Sequence, residues 1–90
     1  MNDSYCVIAF GSTHAAIRVQ KLLSDKGFSI IMMPTLRVIT AGCGLSIRFS
    51  SEDLTNIQKA VSEANIEPSL HQFYTVENNM GEYKISKLEG

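Results

Sequence analysis

The stretch Leu45-Ser46-Ile47-Arg48-Phe49-Ser50-Ser51-Glu52-Asp53-Leu54 decides how the chain folds. Its first half alternates. Leu45, Ile47 and Phe49 are expected to face a core and Ser46 and Arg48 to face outward, which is the period-two signature of a strand. Its second half opens a helix. Ser50 is a cap candidate, and its spacing to Asp53 is that of a capping box with Asp in place of the usual Glu or Gln. The apolar stripe then continues through Leu54, Ile57, Val61 and Ala64, with Ala60 beside it. No helical pattern separates this strand from the apolar run before it, so two strands follow one another directly in mid-chain.

Upstream, Phe28-Ser29-Ile30-Ile31-Met32-Met33 reads as a strand that Pro34 closes or bends near a sheet edge. Before it, Ala15, Ala16, Val19, Leu22 and Leu23 recur at helical spacing, with Ser12 or Thr13 as cap and Gly27 as the left-handed stop. Tyr5-Cys6-Val7-Ile8-Ala9-Phe10 is apolar throughout, as a central strand would be. Downstream, Pro68 ends the second helix and His71 to Val76 make a fourth strand. Asn78-Asn79-Met80-Gly81 looks like a turn, and Glu82 to Leu88 either return as an extra strand or dock as a tail. The order strand, helix, strand, strand, helix, strand predicts an α+β fold. The expected form is a ferredoxin-like βαββαβ sandwich, a four-stranded antiparallel sheet in the order 4-1-3-2 with two helices on one face. Leu22, Leu54, Ile57 and Val61 should then pack against Val7, Ile47 and Phe49. One domain spans residues 1–90, with its core over about 4–78 and the tail or extra strand over 79–90.

The chain has 90 residues, 44% hydrophobic and 19% charged, with a formal net charge of -1. That size suits one modest core and leaves no room for a deep catalytic cavity. Basic residues are scattered singly, which argues against nucleic acid as a ligand. The N-terminal residues do not read as a signal peptide, and no apolar run approaches the roughly 20 residues of a bilayer span. A cytoplasmic protein with reduced thiols is the expectation. The two cysteines form no Cys-x-x-Cys pair, and neither they nor the histidines make a spaced ligand set, so no metal or other cofactor is expected.

The connection from Thr35 to Gly44 is longer than a hairpin needs and holds Cys43 between Gly42 and Gly44. The glycines remove side-chain bulk and permit positive φ, so neighbouring amides could converge as an anion-binding nest. In the expected topology this loop shares an end of the sheet with the start of the first helix, where Ser12, Thr13 and His14 stand. Amide dipoles at a helix start lower a thiol's pKa from about 8.5, which would make Cys43 a nucleophile near neutral pH. His14 could serve as a nearby cation or proton carrier. Arg37 and Arg48 are close in sequence and could face an anion, or could be ordinary solvated charges. Cys6, inside an apolar strand, reads as a small hydrophobe. His71 has no cysteine or carboxylate at ligand spacing and reads as structural.

Taken together, Phe10-Gly11-Ser12-Thr13-His14-Ala15-Ala16, the Pro34-Thr35 pair and Cys43-Gly44-Leu45-Ser46-Ile47-Arg48-Phe49 resemble a family of small bacterial proteins, the selenium/sulfur carrier-like proteins (DUF3343). The likeness runs over about residues 4–78. It implies that Cys43 is the chalcogen-carrying residue, with Ser12, Thr13 and His14 matching the motif after the first strand. Thr40-Ala41-Gly42 stand where the family has more serine. The resemblance further implies a persulfide or selenosulfide intermediate, a donor protein and an acceptor protein, and a carrier rather than a turnover enzyme. A different class remains open beside it: a non-catalytic interaction or regulatory module that uses the open face or an edge of its sheet, including for homo-oligomerisation, with Cys43 incidental.

Overall fold

The computed structural model describes residues 2–35, 44–65 and 71–88. Its elements are β1 (Asn2–Phe10), α1 (Thr13–Asp25), β2 (Ile30–Pro34), β3 (Leu45–Phe49), a short 3-10 turn (Ser51–Asp53), α2 (Leu54–Glu63), β4 (His71–Asn79) and β5 (Glu82–Leu88). The sheet is antiparallel at every pairing, in the order β2-β3-β1-β4-β5. The first four strands therefore take the expected order, and the strand count is corrected from four to five. The added strand is the C-terminal piece. A two-residue turn at Met80-Gly81, with φ of 54° and 94°, folds it back on β4 so that Asn79 faces Glu82. Lys84, Ser86 and Lys87 interrupt its apolar pattern, which is why the sequence reads equally well as a tail.

Both helices cover one face. Ala16, Val19 and Leu23 of α1 and Ile57, Ala60 and Val61 of α2 share one buried cluster with Cys6, Ile8, Phe10, Ile47, Phe49 and Phe73. Phe49 and Phe73 meet edge to face across it, ring centroids 6.3 Å apart. Each fully buried side chain of this size contributes about 1.5–3 kcal/mol, so the cluster dominates stability. Strand parity corrects one expected contact. Cys6, Ile8 and Phe10 face the helices, so Val7 points to the helix-free face, although it is itself fully buried between Arg48 and Tyr74 on the flanking strands. Leu22 is only half-buried, because the stripe of α1 centres on Ala16, Val19 and Leu23; Leu54 likewise packs at the margin.

Local chemistry explains the boundaries. The Ser12 side chain accepts a hydrogen bond from the Ala15 N–H at 3.4 Å and caps α1. At the other end Gly27, at φ 87°, donates to the Ser24 carbonyl, and Phe28 donates to the Leu23 carbonyl, both at 3.0 Å. This paired closure uses Phe28 and Ser29 to end the helix, so β2 starts at Ile30 rather than at Phe28. The expected capping box at Ser50 does not form. Ser50 Oγ accepts from Glu52 N–H at 3.4 Å, and Asp53 makes no side-chain cap bond. No described helix is long and apolar enough to cross a membrane.

Candidate functional site

The end of the sheet where β1 finishes is built by register. Phe10 lies opposite Leu45 on β3 and opposite His71 on β4, and Leu45 in turn lies opposite Pro34 on β2. Thr35 and Gly44 extend this row, with the Thr35 N–H donating to the Gly44 carbonyl at 3.1 Å. Thr35 and Gly44 thus stand on one rung. Leu36 to Cys43 lie outside the described residues, and with them Arg37, Gly42 and Cys43.

Gly44 is held by close approach. A Cβ at this position would stand 3.1 Å from Thr35 Oγ1 and 3.2 Å from the Phe10 carbonyl oxygen. Of the two properties read for this glycine, absent side-chain bulk and freedom for positive φ, the fold uses the first: its φ is not positive. Thr35 Oγ1 also shares a 2.7 Å hydrogen bond with Ser46 Oγ. Ser46 is fully buried on the helix-free face, not solvated as its alternation suggested. A side chain without solvent needs such a partner.

One residue beyond Phe10 the chain turns into α1. Ser12 is half-buried and used as the cap, while Thr13 and His14 are exposed on the first turn. The first-turn amides other than that of Ala15 are the unpaired donors every helix start presents. The structure thus brings Ser12, Thr13, His14 and Gly44 to one edge. It does not bring Arg48 there. Arg48 lies three residues further along β3, about 10 Å from Leu45 at strand rise, and its guanidinium sits 4.0 Å from the centroid of the Tyr5 ring.

His71 joins this edge although its sequence context singles out nothing. It opens β4 opposite Phe10, and its ring packs edge to face on Phe73 with centroids 5.8 Å apart. The signal was topological: strand four runs antiparallel to strand one, so its first residue must meet the last of strand one. Thr35, read from the sequence only as part of the Pro34-Thr35 pair, shows its use through its partner on β3.

Cys6 contrasts with this edge. It is a free, fully buried thiol in the core, and burial pushes its pKa up. An open surface hollow of about 540 Å³ beside Tyr5, Phe28, Ile31, Arg48 and Ser50 lies at the opposite end of the sheet, away from Gly44. Among the described residues no group of three or more His, Cys, Asp or Glu side chains could hold a metal ion.

No curated protein matches the chain. A family model described as "Putative Se/S carrier protein-like" matches residues 5–71, a span from β1 to the first residue of β4 that contains Cys43.

Proposed function

The chain belongs to the Se/S carrier-like family, and from that premise we infer that it carries a sulfur or selenium atom on Cys43, received from a donor protein and passed to an acceptor protein. The observation that supports this best is the position of Gly44 against the Phe10 carbonyl, two residues before the cap of α1. Cys43 is bonded to Gly44, so its Cα is one peptide step, about 3.8 Å, from that glycine's. The first-turn amides of α1, whose partial positive charge favours a thiolate, are assigned the role of lowering the pKa of the Cys43 thiol. His14, exposed on that turn, supplies a cation or carries the proton that the thiol releases. Gly42, Gly44 and Arg37, near Cys43 in sequence, belong to the same proposal as supporting residues.

The transfer step is an exchange at sulfur. The Cys43 thiolate attacks the outer atom of a donor persulfide; a bond from Cys43 Sγ to that atom forms as the donor's own S–S bond breaks, and the donor departs as a thiolate. The proton on the outer atom stays with it. Cys43 then holds a persulfide, or a selenosulfide when the outer atom is selenium. Attack on that outer atom by an acceptor thiolate restores Cys43. No net oxidation occurs, so the cycle uses no redox cofactor. A second accessible thiol would discharge the cargo as a disulfide, and the burial of Cys6 removes that route.

Intact-mass measurement after incubation with a small-molecule persulfide donor tests the reading. The wild-type protein and Cys6→Ser should gain the mass of one sulfur atom, reversibly by thiol treatment, and Cys43→Ser should gain none. A wild-type protein that gains nothing, or a Cys43→Ser protein that gains as much, removes the carrier role and leaves the interaction module as the better reading.

A further inference from the structure

Two hydroxyls meet beside Gly44, and burial decides which of them donates. Thr35 Oγ1 and Ser46 Oγ are 2.7 Å apart. Ser46 is fully buried and has no other acceptor among the described residues, whereas Thr35 is half-buried. Were Thr35 the donor, the Ser46 proton would be left without an acceptor away from water, which carries the full desolvation cost of that group. Ser46 therefore donates and Thr35 accepts, and the Thr35 proton is left for the half-exposed side.

That bond acts on Gly44. A threonine side chain has three staggered positions about χ1. Acceptance from Ser46 selects the one that places Oγ1 3.1 Å from where a Cβ on Gly44 would stand. The Phe10 carbonyl oxygen closes the other side of that space at 3.2 Å. Glycine has no side chain whose packing could hold its backbone, so its place depends on what encloses it. The Thr35 N–H fixes the Gly44 carbonyl, and the Thr35 side chain fixes the space beside its Cα. Ser46 lies two residues beyond Gly44 on the same strand, so the hydroxyl bond returns to the strand it supports and closes a small ring across β2 and β3. An alanine at 46 would avoid burying a hydroxyl. What the buried hydroxyl obtains is a fixed direction for Thr35, as a satisfied polar pair in a low dielectric does.

We propose that Thr35, held by Ser46, is a positioning residue for the carrier chemistry: it sets where the chain stands at Gly44 and, through that residue's peptide bond, where Cys43 begins. Thr35 works through Gly44 and touches neither donor nor acceptor. Cys43 is the reacting thiol only under the carrier reading, on which this role rests.

Alkylation of Cys43 by iodoacetamide, followed by peptide mass across about pH 5–10, separates positioning from a merely structural role, because stability alone does not move the pH profile of a folded protein's thiol. In the wild type the Cys43 thiol should titrate below the free value of about 8.5. Thr35→Ala and Ser46→Ala should each raise that midpoint by about 0.5 unit or more, which slows alkylation at pH 7 at least about threefold and leaves the limiting rate at high pH within about twofold. Thr35→Ser keeps the oxygen and its bond and should restore the wild-type profile. Circular dichroism checks that each variant is folded. Should Thr35→Ala fail to fold, Ser46→Ala removes the same bond from the other side, and the Thr35 hydroxyl it releases is half-exposed and hydrates. Wild-type profiles in the alanine variants overturn the proposal. So does a Thr35→Ser profile shifted as far as that of the alanine variants, or a wild-type Cys43 that titrates at the free value. Sulfur uptake enters none of these readouts: a wild type that takes up none from a persulfide donor removes the carrier reading, while the alkylation profiles still judge whether Thr35 positions Cys43.

Discussion

Replacing Gly44 by alanine isolates the contact that anchors the candidate site. At an ordinary site with non-positive φ, glycine to alanine stabilises by about 0.4–1 kcal/mol, because the unfolded chain has fewer states to lose. At Gly44 the new methyl must sit 3.1 Å from Thr35 Oγ1 and 3.2 Å from the Phe10 carbonyl oxygen, both closer than a comfortable carbon–oxygen contact. The carbonyl belongs to a strand paired on both sides and cannot retreat alone. Thr35 Oγ1 can move only by loosening its 2.7 Å bond to buried Ser46, and a buried hydroxyl left unpaired costs about 1–3 kcal/mol. Against the entropic gain, the net expectation is a loss of about 1–2 kcal/mol. For a domain of this size, with a urea m-value of about 1 kcal/mol/M, that lowers the unfolding midpoint by about 1–2 M. Gly11→Ala is the control. No atom lies within 4 Å of its Cβ and its φ is not positive, so it should be neutral or mildly stabilising. In a Thr35→Ala background the Gly44→Ala penalty should shrink by at least about 0.5 kcal/mol, since one of the two obstructing atoms is gone. A Gly44→Ala protein as stable as wild type, or a penalty unchanged by Thr35→Ala, would refute the claim that close packing fixes this glycine.

Other expectations follow from single features. The Cys6 thiol has a raised pKa in the folded state, so the unfolded chain loses its proton first; its contribution to stability is intact below the unfolded thiol's pKa and falls as pH rises above it, and Cys6→Ala should make the stability slope in denaturant titrations across about pH 8–10 shallower. Cys6 should also resist alkylation until unfolding, as followed by mass. Met80 holds φ 54° in the β4–β5 turn with 91% of its surface exposed, so Met80→Asn should gain about 0.5–1 kcal/mol and raise the thermal midpoint by several degrees. Arg48→Gln should lose the stacking on Tyr5, about 0.5–1 kcal/mol, and, under the proposed carrier role, take up sulfur from a persulfide donor as fast as the wild type.

Much of this architecture was legible because hydrophobic period and element order restrict the topology severely. The run Ile47-Arg48-Phe49 into Ser50 could hardly be anything but a strand feeding a helix, and right-handed crossovers then dictate the order of four strands. What escaped was what depends on partners distant in sequence. A fully apolar strand such as Tyr5–Phe10 carries no alternation, so nothing local says that Val7 faces away from the helices. Ser46 looks solvated until Thr35 is seen beside it. At the candidate site, the convergence of Gly44 with Ser12, Thr13 and His14 could be reasoned from topology, whereas the separation of Arg48 required its side-chain direction.

The rung between Thr35 and Gly44 also has a consequence for how such a chain can change. Because Thr35 and Gly44 already face one another as a hydrogen-bonded pair, residues inserted between them leave the β2–β3 register as it is. Each doubling of the connection's length would cost only about 0.6 kcal/mol of closure entropy. The scaffold can therefore carry a replaceable cassette between Thr35 and Gly44, rewritten while the sheet keeps the same sequence requirements. Grafting a longer segment between Thr35 and Gly44 should leave a protein that folds as before and differs only in which chemistry it presents.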